Sequence, residues 1–414
     1  MTDLAWIDAA LASARPRAVA ALLRYFRDMD LAEEAYQEAC LRALARWPEQ
    51  GAPRDPAAWL ILVGRNSGID AVRKSARNEA LPPEEQLSDL DDAEAGIADR
   101  LDEGQYRDDI LRLLFVCCHP DLPATGAIAL ALRIVSGLTV AQIARAFLVG
   151  EKAMEQRITR AKARIAGSGI PFETPGPIER AERLGAVAAM VYLIFNEGYS
   201  ASGAEAGARG PLCREAIRLA RLLLRLFPSE PEILALTALM LLQHARSAAR
   251  LDGEGQVVLL EDQDRGQWDG TMIAEGLALL DKAMRHRRPG PYQVQAAIAA
   301  LHARAKVAAD TDWAGIERLY ATLERMQPSP VVTLNRAVAV GRLSGPEAAL
   351  ALLAPLDERL DGYFYYHGAR GAFLDQLGRV EEARAAFGRA IGLAGSAAEA
   401  AYIRQQLDRL SQPK

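Results

Sequence analysis

The sequence predicts an all-α protein, and three observations carry that expectation. Ala, Leu, Arg and Glu dominate the 414 residues, while aromatics supply only 6% and runs of Val, Ile or Thr are few; this composition favours helix. Apolar residues recur at three- and four-residue spacing through most of the chain. Pro- and Gly-rich stretches, such as QGAPRDP at 50–56 and GSGIPFETPGP at 167–177, separate the periodic segments and read as loops. The length is enough for two or three domains with cores of their own.

Residues 5–28 read as an amphipathic helical region interrupted at Pro16. A second helix over 31–46 is expected to end at Trp47-Pro48, with Leu31, Ala35 and Leu41 inward and Glu34, Gln37 and Glu38 on an exposed side. Pro56 opens a third helix to about residue 77, because its missing N–H costs nothing in a first turn. Residues 81–107 hold two prolines and dense acids and read as a linker with little core. Periodicity returns with Ile110, Leu111, Leu114, Phe115 and Cys118, then stops at His119-Pro120; a further helix spans about 123–135.

Residues 139–164 read as a helix-turn-helix. Ile143, Ala144 and Phe147 give the first apolar stripe, Val149 the turn, and Met154 with Ile158 the second stripe. Ala144 falls where the two helices cross and only a small side chain fits. Lys152, Gln156, Arg157, Arg160 and Lys162 are expected on the exposed face of the second helix, where long basic and amide side chains reach phosphates and base edges. Glu151 and Glu155 dilute that charge, and a plain helical hairpin with a solvated face is the alternative. A local basic face in a chain of net charge −5 still gives an electrostatic footprint for DNA.

Beyond residue 178 the pattern is helical again. Residues 363–394 read as a degenerate tetratricopeptide unit: Gly371 at the small position, Gly378 at the turn, and Ala383, Phe387 and Ala390 on the second helix. Residues 332–356 look like a weaker copy, with Ala348 and Leu352 on the second helix. Two more helix pairs span 212–245 and 292–326, broken at FPSEP and around Asp310. Residues 251–270 read as a connecting segment, and the whole as an irregular helical solenoid.

The N-terminal blocks have a recognisable order. Ala32, Glu33, Glu34, Gln37 and Glu38, followed by Trp59, Leu60, Arg65, Asn66, Asp70, Arg73 and Lys74, resemble region 2 of bacterial sigma factors of the extracytoplasmic-function (ECF) group. Gly150, Met154 to Ile158 and Arg160 to Lys162 resemble the recognition helix of that family's region 4. The remainder resembles the long extension of one subgroup, with tetratricopeptide-like helices. The resemblance implies a cytoplasmic promoter-recognition subunit divided into region 2 (1–80), acidic linker (81–107), region 4 (108–170), a short linker (171–178) and a helical regulatory or interaction domain (179–414). It implies that Glu34, Gln37 and Glu38 dock on the clamp helices of the largest subunit of RNA polymerase core. It implies that Trp59, Arg65, Asn66, Asp70, Arg73, Lys74 and Arg77 hold the unstacked −10 strand, and that the recognition helix reads the −35 element of promoter DNA. Trp59 fits a core position as well as a stacking platform. The acidic linker is expected to occupy an RNA-like channel of the polymerase. Gly150 in place of an N-cap Ser, Glu155 in place of Lys and Leu148 in place of the turn Gly bear on promoter preference.

Other chemistry finds little support. Cys117-Cys118-His119 lacks nearby further ligands for zinc, and Glu261, Asp262, Asp264 and Asp269 do not fit calcium-loop spacing. No phosphate-loop, dinucleotide or catalytic-triad pattern stands out, so no enzyme, cofactor or metal is expected. Nothing reads as a signal peptide or membrane span, and the four cysteines are expected reduced. FNEGY (195–199) and DQDRGQWD (262–269) receive no role beyond helix termination or loop anchoring. Two rivals remain: a helix-turn-helix regulator with a ligand- or protein-sensing helical domain, and a scaffold whose helix-turn-helix is purely structural.

Overall fold

A computed structural model of the chain describes residues 5–77, 109, 113–118, 122–147, 149–167, 177–199, 204–253, 256–395 and 397–410. The acidic linker at 81–107 lies outside the described residues. The protein is all-α; among the described residues the β content is an isolated bridge between Leu251 and Val257. The chain divides into two compact units, Met1–Leu193 and Ile194–Lys414. No described helix is long and apolar enough to cross a membrane.

In the first unit, α1 (Ala5–Phe26), α2 (Met29–Gln50) and α3 (Pro56–Arg77) pack together. Ile7, Leu22, Leu23, Ala32, Ala39 and Leu60 fill their core. Two expected breaks are absent. Helix α1 runs straight through Pro16, although an interior proline costs about 3 kcal/mol; Ala14, Ala18, Val19 and Ala20 are buried around it, and their packing holds the helix. Helix α2 likewise continues past Trp47 and Pro48, then closes on Gly51 (φ 81°), whose N–H bonds the Trp47 carbonyl. Trp47 anchors this last turn by stacking with Trp6 at 6.4 Å and meeting Trp59 edge-on at 5.4 Å.

Helices α4 (Ala124–Ile134), α5 (Val140–Ala146) and α6 (Glu151–Gly167) form a second cluster of this unit. A capping box starts α5: the Thr139 hydroxyl accepts from Gln142 N–H while the Gln142 amide oxygen accepts from Thr139 N–H. The Thr-x-x-Gln spacing is a sequence signature of that motif. Helix α7 (Pro177–Tyr199) follows.

The second unit stacks α8 (Ala204–Leu226) and α9 (Pro231–His244), then α10 (Gly270–Arg285), α11 (Pro291–Arg304), α12 (Trp313–Met326), α13 (Pro330–Ser344), α14 (Pro346–Leu353), α15 (Phe364–Gln376), α16 (Val380–Leu393) and α17 (Ala397–Leu410). Proline opens α9, α11, α13 and α14, where its fixed φ suits a first turn. The expected repeat over 363–394 is present as α15 and α16. Gly378 takes φ 68° in the turn, and a Cβ on Gly371 would sit 2.6 Å from the Phe387 ring. In the weaker copy the buried residues of α14 are Ala349 and Leu353, one position beyond the expected Ala348 and Leu352.

Between α9 and α10 the described residues form short 3-10 turns at Ser247–Ala249 and Arg265–Gln267. Three acids there have structural partners: the Asp264 carboxylate caps the second turn, Asp269 caps α10, and Glu261 pairs with Arg342. The glycine of FNEGY also has a reason, since a Cβ on Gly198 would meet Arg209 O and Cys213 N at 2.8 Å.

Candidate nucleic-acid interface

Helix α6 buries Met154, Ile158, Ala161 and Ile165. That stripe turns two different flanks outward. One flank, carrying Gln156, Arg157, Arg160 and Arg164, faces a groove of about 430 Å³ shared with Leu122, Pro123 and Thr125 ahead of and at the start of α4. Gln156, Arg160 and Arg164 are exposed there, with Arg157 half-buried; Lys152 is exposed in the first turn of α6. Of the five residues expected on the recognition helix, the structure thus exposes Lys152, Gln156 and Arg160, sets Arg157 half-buried at the groove, and adds Arg164.

Lys162 departs from the expectation of an exposed position. It projects from the other flank, is half-buried, and donates to Asp30 at 2.6 Å and Glu33 at 3.0 Å on α2. Burial pulls its ammonium pKa down, but the Asp30 hydrogen bond and the Glu33 carboxylate outweigh this and leave it raised. Glu155 lines the same hollow as Asp30, Glu33, Arg133 and Lys162, so it does not dilute the basic flank. Glu33 is 5% exposed and gathers three cations: Arg133 at 2.8 Å, Lys162 at 3.0 Å and Arg15 at 3.6 Å. Arg15 also donates to the carbonyls of Arg133 and Ile134 at the end of α4. One buried carboxylate therefore ties α1, α4 and α6 to α2.

On α2, Glu34 and Gln37 are exposed and Glu38 is half-buried, paired with Arg42 at 3.3 Å. They rim a shallow groove of about 340 Å³ completed by Ser67, Gly68 and Asp70 of α3. Leu41 was expected inward; it is 63% exposed, on this rim, and Leu44 is 42% exposed. Position 41 falls between the buried Ala39 and Ala43, where helical rotation carries it outward.

The α3 residues divide. Trp59 is 7% exposed and packed against Trp47, so it belongs to the core and presents no stacking face. Arg65, Asn66 and Asp70 are exposed, with the Arg65 guanidinium 4.5 Å over the Tyr25 ring. The helix continues to Arg77; the side chains of Arg73, Lys74 and Arg77 lie outside the described ones. The cysteines have packing roles: Cys117 is buried, which raises its thiol pKa, and Cys118 lies 3.2 Å from the Met190 sulfur.

A helical bundle with an acid-rimmed groove, joined to a helix-turn-helix with a basic flank, suits a DNA-binding protein. Comparisons with known sequences specify it further. Residues 11–78 match Sigma-70 region 2 and residues 112–165 match Sigma-70 region 4. Residues 183–284 match a family of unknown function, DUF6596. The chain is 71% identical over 411 residues to the "Uncharacterized protein R00370" of Rhizobium meliloti (strain 1021), covering 99% of this chain and 97% of the relative. No solved structure matches the chain. The chain belongs to the sigma-70 family, as an ECF-like factor with a C-terminal extension. It is an RNA polymerase sigma factor, a class of transcription factor that binds core polymerase and promoter DNA and is in general non-enzymatic.

Proposed function

We propose that the groove between α2 and α3 docks on the clamp of the largest polymerase subunit through Glu34, Gln37, Glu38 and the exposed Leu41. An apolar centre within charged surroundings suits a specific protein contact. The −35 element is read by Lys152, Gln156, Arg157, Arg160 and Arg164, and the melted −10 strand by Arg65, Asn66 and Asp70 with Arg73, Lys74 and Arg77. The division at 1–80, 81–107, 108–170, 171–178 and 179–414 serves this reading, with the acidic linker in the polymerase channel and the last segment controlling output. The protein acts in the cytoplasm.

The observation that carries the proposal is the exposed basic flank of α6, opposite a fully buried apolar stripe. It has a geometric consequence. Elements at −35 and −10 lie about 25 base pairs apart, or roughly 85 Å at ~3.4 Å per step. Helix α3 has 22 residues, so at ~1.5 Å per residue it is only about 33 Å long. With Lys162 touching α2 directly, both elements cannot be read at once. The Glu33 ion cluster therefore parts when the factor engages a promoter.

Co-purification with core polymerase, followed by run-off transcription on a promoter library, tests the proposal. Arg157→Ala and Arg160→Ala should each weaken promoter binding by about 1–3 kcal/mol and leave core binding intact. Unchanged transcription in both variants would sink the recognition-helix reading. Ending the chain at Pro175 should change transcript yield without moving the start site, and wild-type output would remove control by the extension.

A further inference from the structure

Two stretches left without a chemical role, FNEGY (195–199) and DQDRGQWD (262–269), each set an aromatic ring against an arginine that no carboxylate neutralises among the described residues. Tyr199, the last residue of α7, holds two such arginines. The Arg250 guanidinium lies 3.7 Å over its ring and donates to its carbonyl. Arg246 donates to its hydroxyl at 2.6 Å. The two guanidinium groups are thus spaced by one phenol side chain. Phe195 stacks on Tyr199 at 5.3 Å and steadies that ring, and the Trp268 ring lies 5.9 Å from the Arg246 guanidinium. A third arginine, Arg214 on α8, is exposed and has no hydrogen-bond or ion-pair partner among the described residues. It follows Cys213, whose thiol donates to the Phe195 carbonyl at 3.5 Å, so it stands at the same end of α7.

The neighbouring charges are engaged elsewhere. Glu197 pairs with Arg209, Glu215 with Arg218, and Asp269 caps α10. Arg265, also against the Trp268 ring at 4.8 Å, spends its terminal nitrogens on the carbonyls of His302 and Ala305 and on the Thr311 hydroxyl. Arg246 and Arg250 differ. Each is half-buried and commits a single hydrogen bond of the several that a guanidinium can donate. The surplus charge reaches two histidines. Burial, then Arg214 and Arg250, lower the His244 pKa against the pull of Asp269. Burial, then Arg246 and Arg265, push that of His302 down to about 4. Covering cations without a counter-charge costs free energy, and an anion that binds between them offsets that cost. The charge and shape of the cluster select the anion. A carboxylate offers few oxygens and a single charge. A phosphate monoester offers three acceptor oxygens and a charge of about −1.5 to −2, and guanidinium forks match those oxygens in pairs. A nucleic-acid backbone spreads its charge along its length and calls for a tract of cations, whereas two of these three are set on one ring.

We propose that Arg214, Arg246 and Arg250 bind the phosphate group of a small anion, free or as a monoester, with Tyr199 and Trp268 as the rings that hold two of the guanidinium groups in place. The site gives the extension a chemical input. Its regulatory use rests on the function proposed above, but its existence does not.

The test measures calorimetric binding and melting temperature of the full chain with inorganic phosphate, phenyl phosphate and glucose 6-phosphate. Benzoate and a single-stranded oligodeoxynucleotide serve as counterparts, all at one ionic strength. At least one phosphate compound should bind and raise the melting temperature, with about tenfold or greater preference over benzoate. An ester that binds more tightly than inorganic phosphate places an organic body in the site; equal binding makes free phosphate the ligand. Arg214→Gln removes a side chain without other bonds, so it should cost about tenfold in affinity while the unliganded melting temperature stays at the wild-type value. Arg250→Lys keeps the charge but loses the fork, and should weaken binding by a similar factor. Binding should survive Arg157→Ala with Arg160→Ala, which removes the basic flank of α6. The proposal is overturned if no phosphate compound binds at millimolar concentration, if benzoate binds as tightly, or if only the oligonucleotide binds. Binding lost with the α6 pair, or kept at wild-type strength in both Arg214→Gln and Arg250→Lys, would overturn it as well. None of these readouts measures core polymerase binding or transcription, so such a failure leaves the promoter-recognition reading standing.

Discussion

Each unit of the molecule fixes a charge among partners, Glu33 buried and Arg265 partly covered, and the two do so differently. Glu33, in the first unit, is compensated by three cationic side chains on α1, α4 and α6. Arg265, in the second, is compensated mainly by main-chain carbonyls at the C-terminal end of α11. A carbonyl partner stays in place as long as the local fold exists. Side-chain partners on separate helices can be exchanged for water when those helices part. The first arrangement suits a contact that opens; the second suits a permanent brace.

Removing each charge should expose the difference. Glu33→Ala leaves Arg15, Arg133 and Lys162 confronting one another, and breaking a buried ion cluster from one side costs about 3–5 kcal/mol. We expect the largest loss of chemical-denaturation stability here; a change within error would mean that water already screens the cluster. Arg265→Ala frees two carbonyls and the Thr311 hydroxyl, with an expected loss of about 3 kcal/mol confined to the second unit. Hydrogen exchange would locate it, and protection lost equally in the first unit would contradict a local brace.

The third expectation concerns pH. His302 is held at about 4 in the folded protein, below the ordinary value of about 6.5. The unfolded chain therefore takes up the proton first. Stability is full above about pH 6.5, falls as pH drops toward 4, and levels off below that. The loss should be roughly 2 kcal/mol, less than an unscreened shift would give because the imidazole is partly solvated. His302→Gln should flatten this part of the pH profile; an unaltered profile would assign the effect to other groups, such as His244, whose pKa burial and neighbouring arginines also lower. The smallest effect on folding belongs to Glu34→Lys with Glu38→Lys, since surface ion pairs contribute about 0–1 kcal/mol. Yet that pair should weaken competition for core polymerase, because a complementary surface becomes repulsive. Normal competition would move the docking surface elsewhere.

Much of this was legible in the sequence. Gly371, Gly378 and Phe387 carry their repeat because small size and positive φ are properties of single residues. The helix-turn-helix was legible because Ile143, Met154 and Ile158 sit at helical spacing. What periodicity could not separate were the two flanks of one helix. Lys162 and Arg160 are both polar positions beside the buried stripe, and only tertiary packing decides which meets α2 and which meets solvent. Leu41 was misplaced for the converse reason: an apolar residue on a helix reads as inward unless the exact rotation is known. Pro16 and Pro48 misled because a local helix-breaking tendency was outweighed by packing of the turns around them. Arg265 stands in DQDRGQWD, which read as a loop anchor, but its partners could not be named because they are carbonyls dozens of residues away.

The glycine sockets of the extension have a mechanical consequence. Gly341 on α13 faces the Phe373 ring of α15, and Gly371 on α15 faces the Phe387 ring of α16; a Cβ at either would lie 2.6 Å from the ring. Each phenyl ring thus plugs into the backbone of a preceding helix, like successive teeth of a zip. Tension applied beyond α16 would withdraw Phe387 before Phe373, so these helices should yield in discrete steps, each remaining seated until the one after it has left.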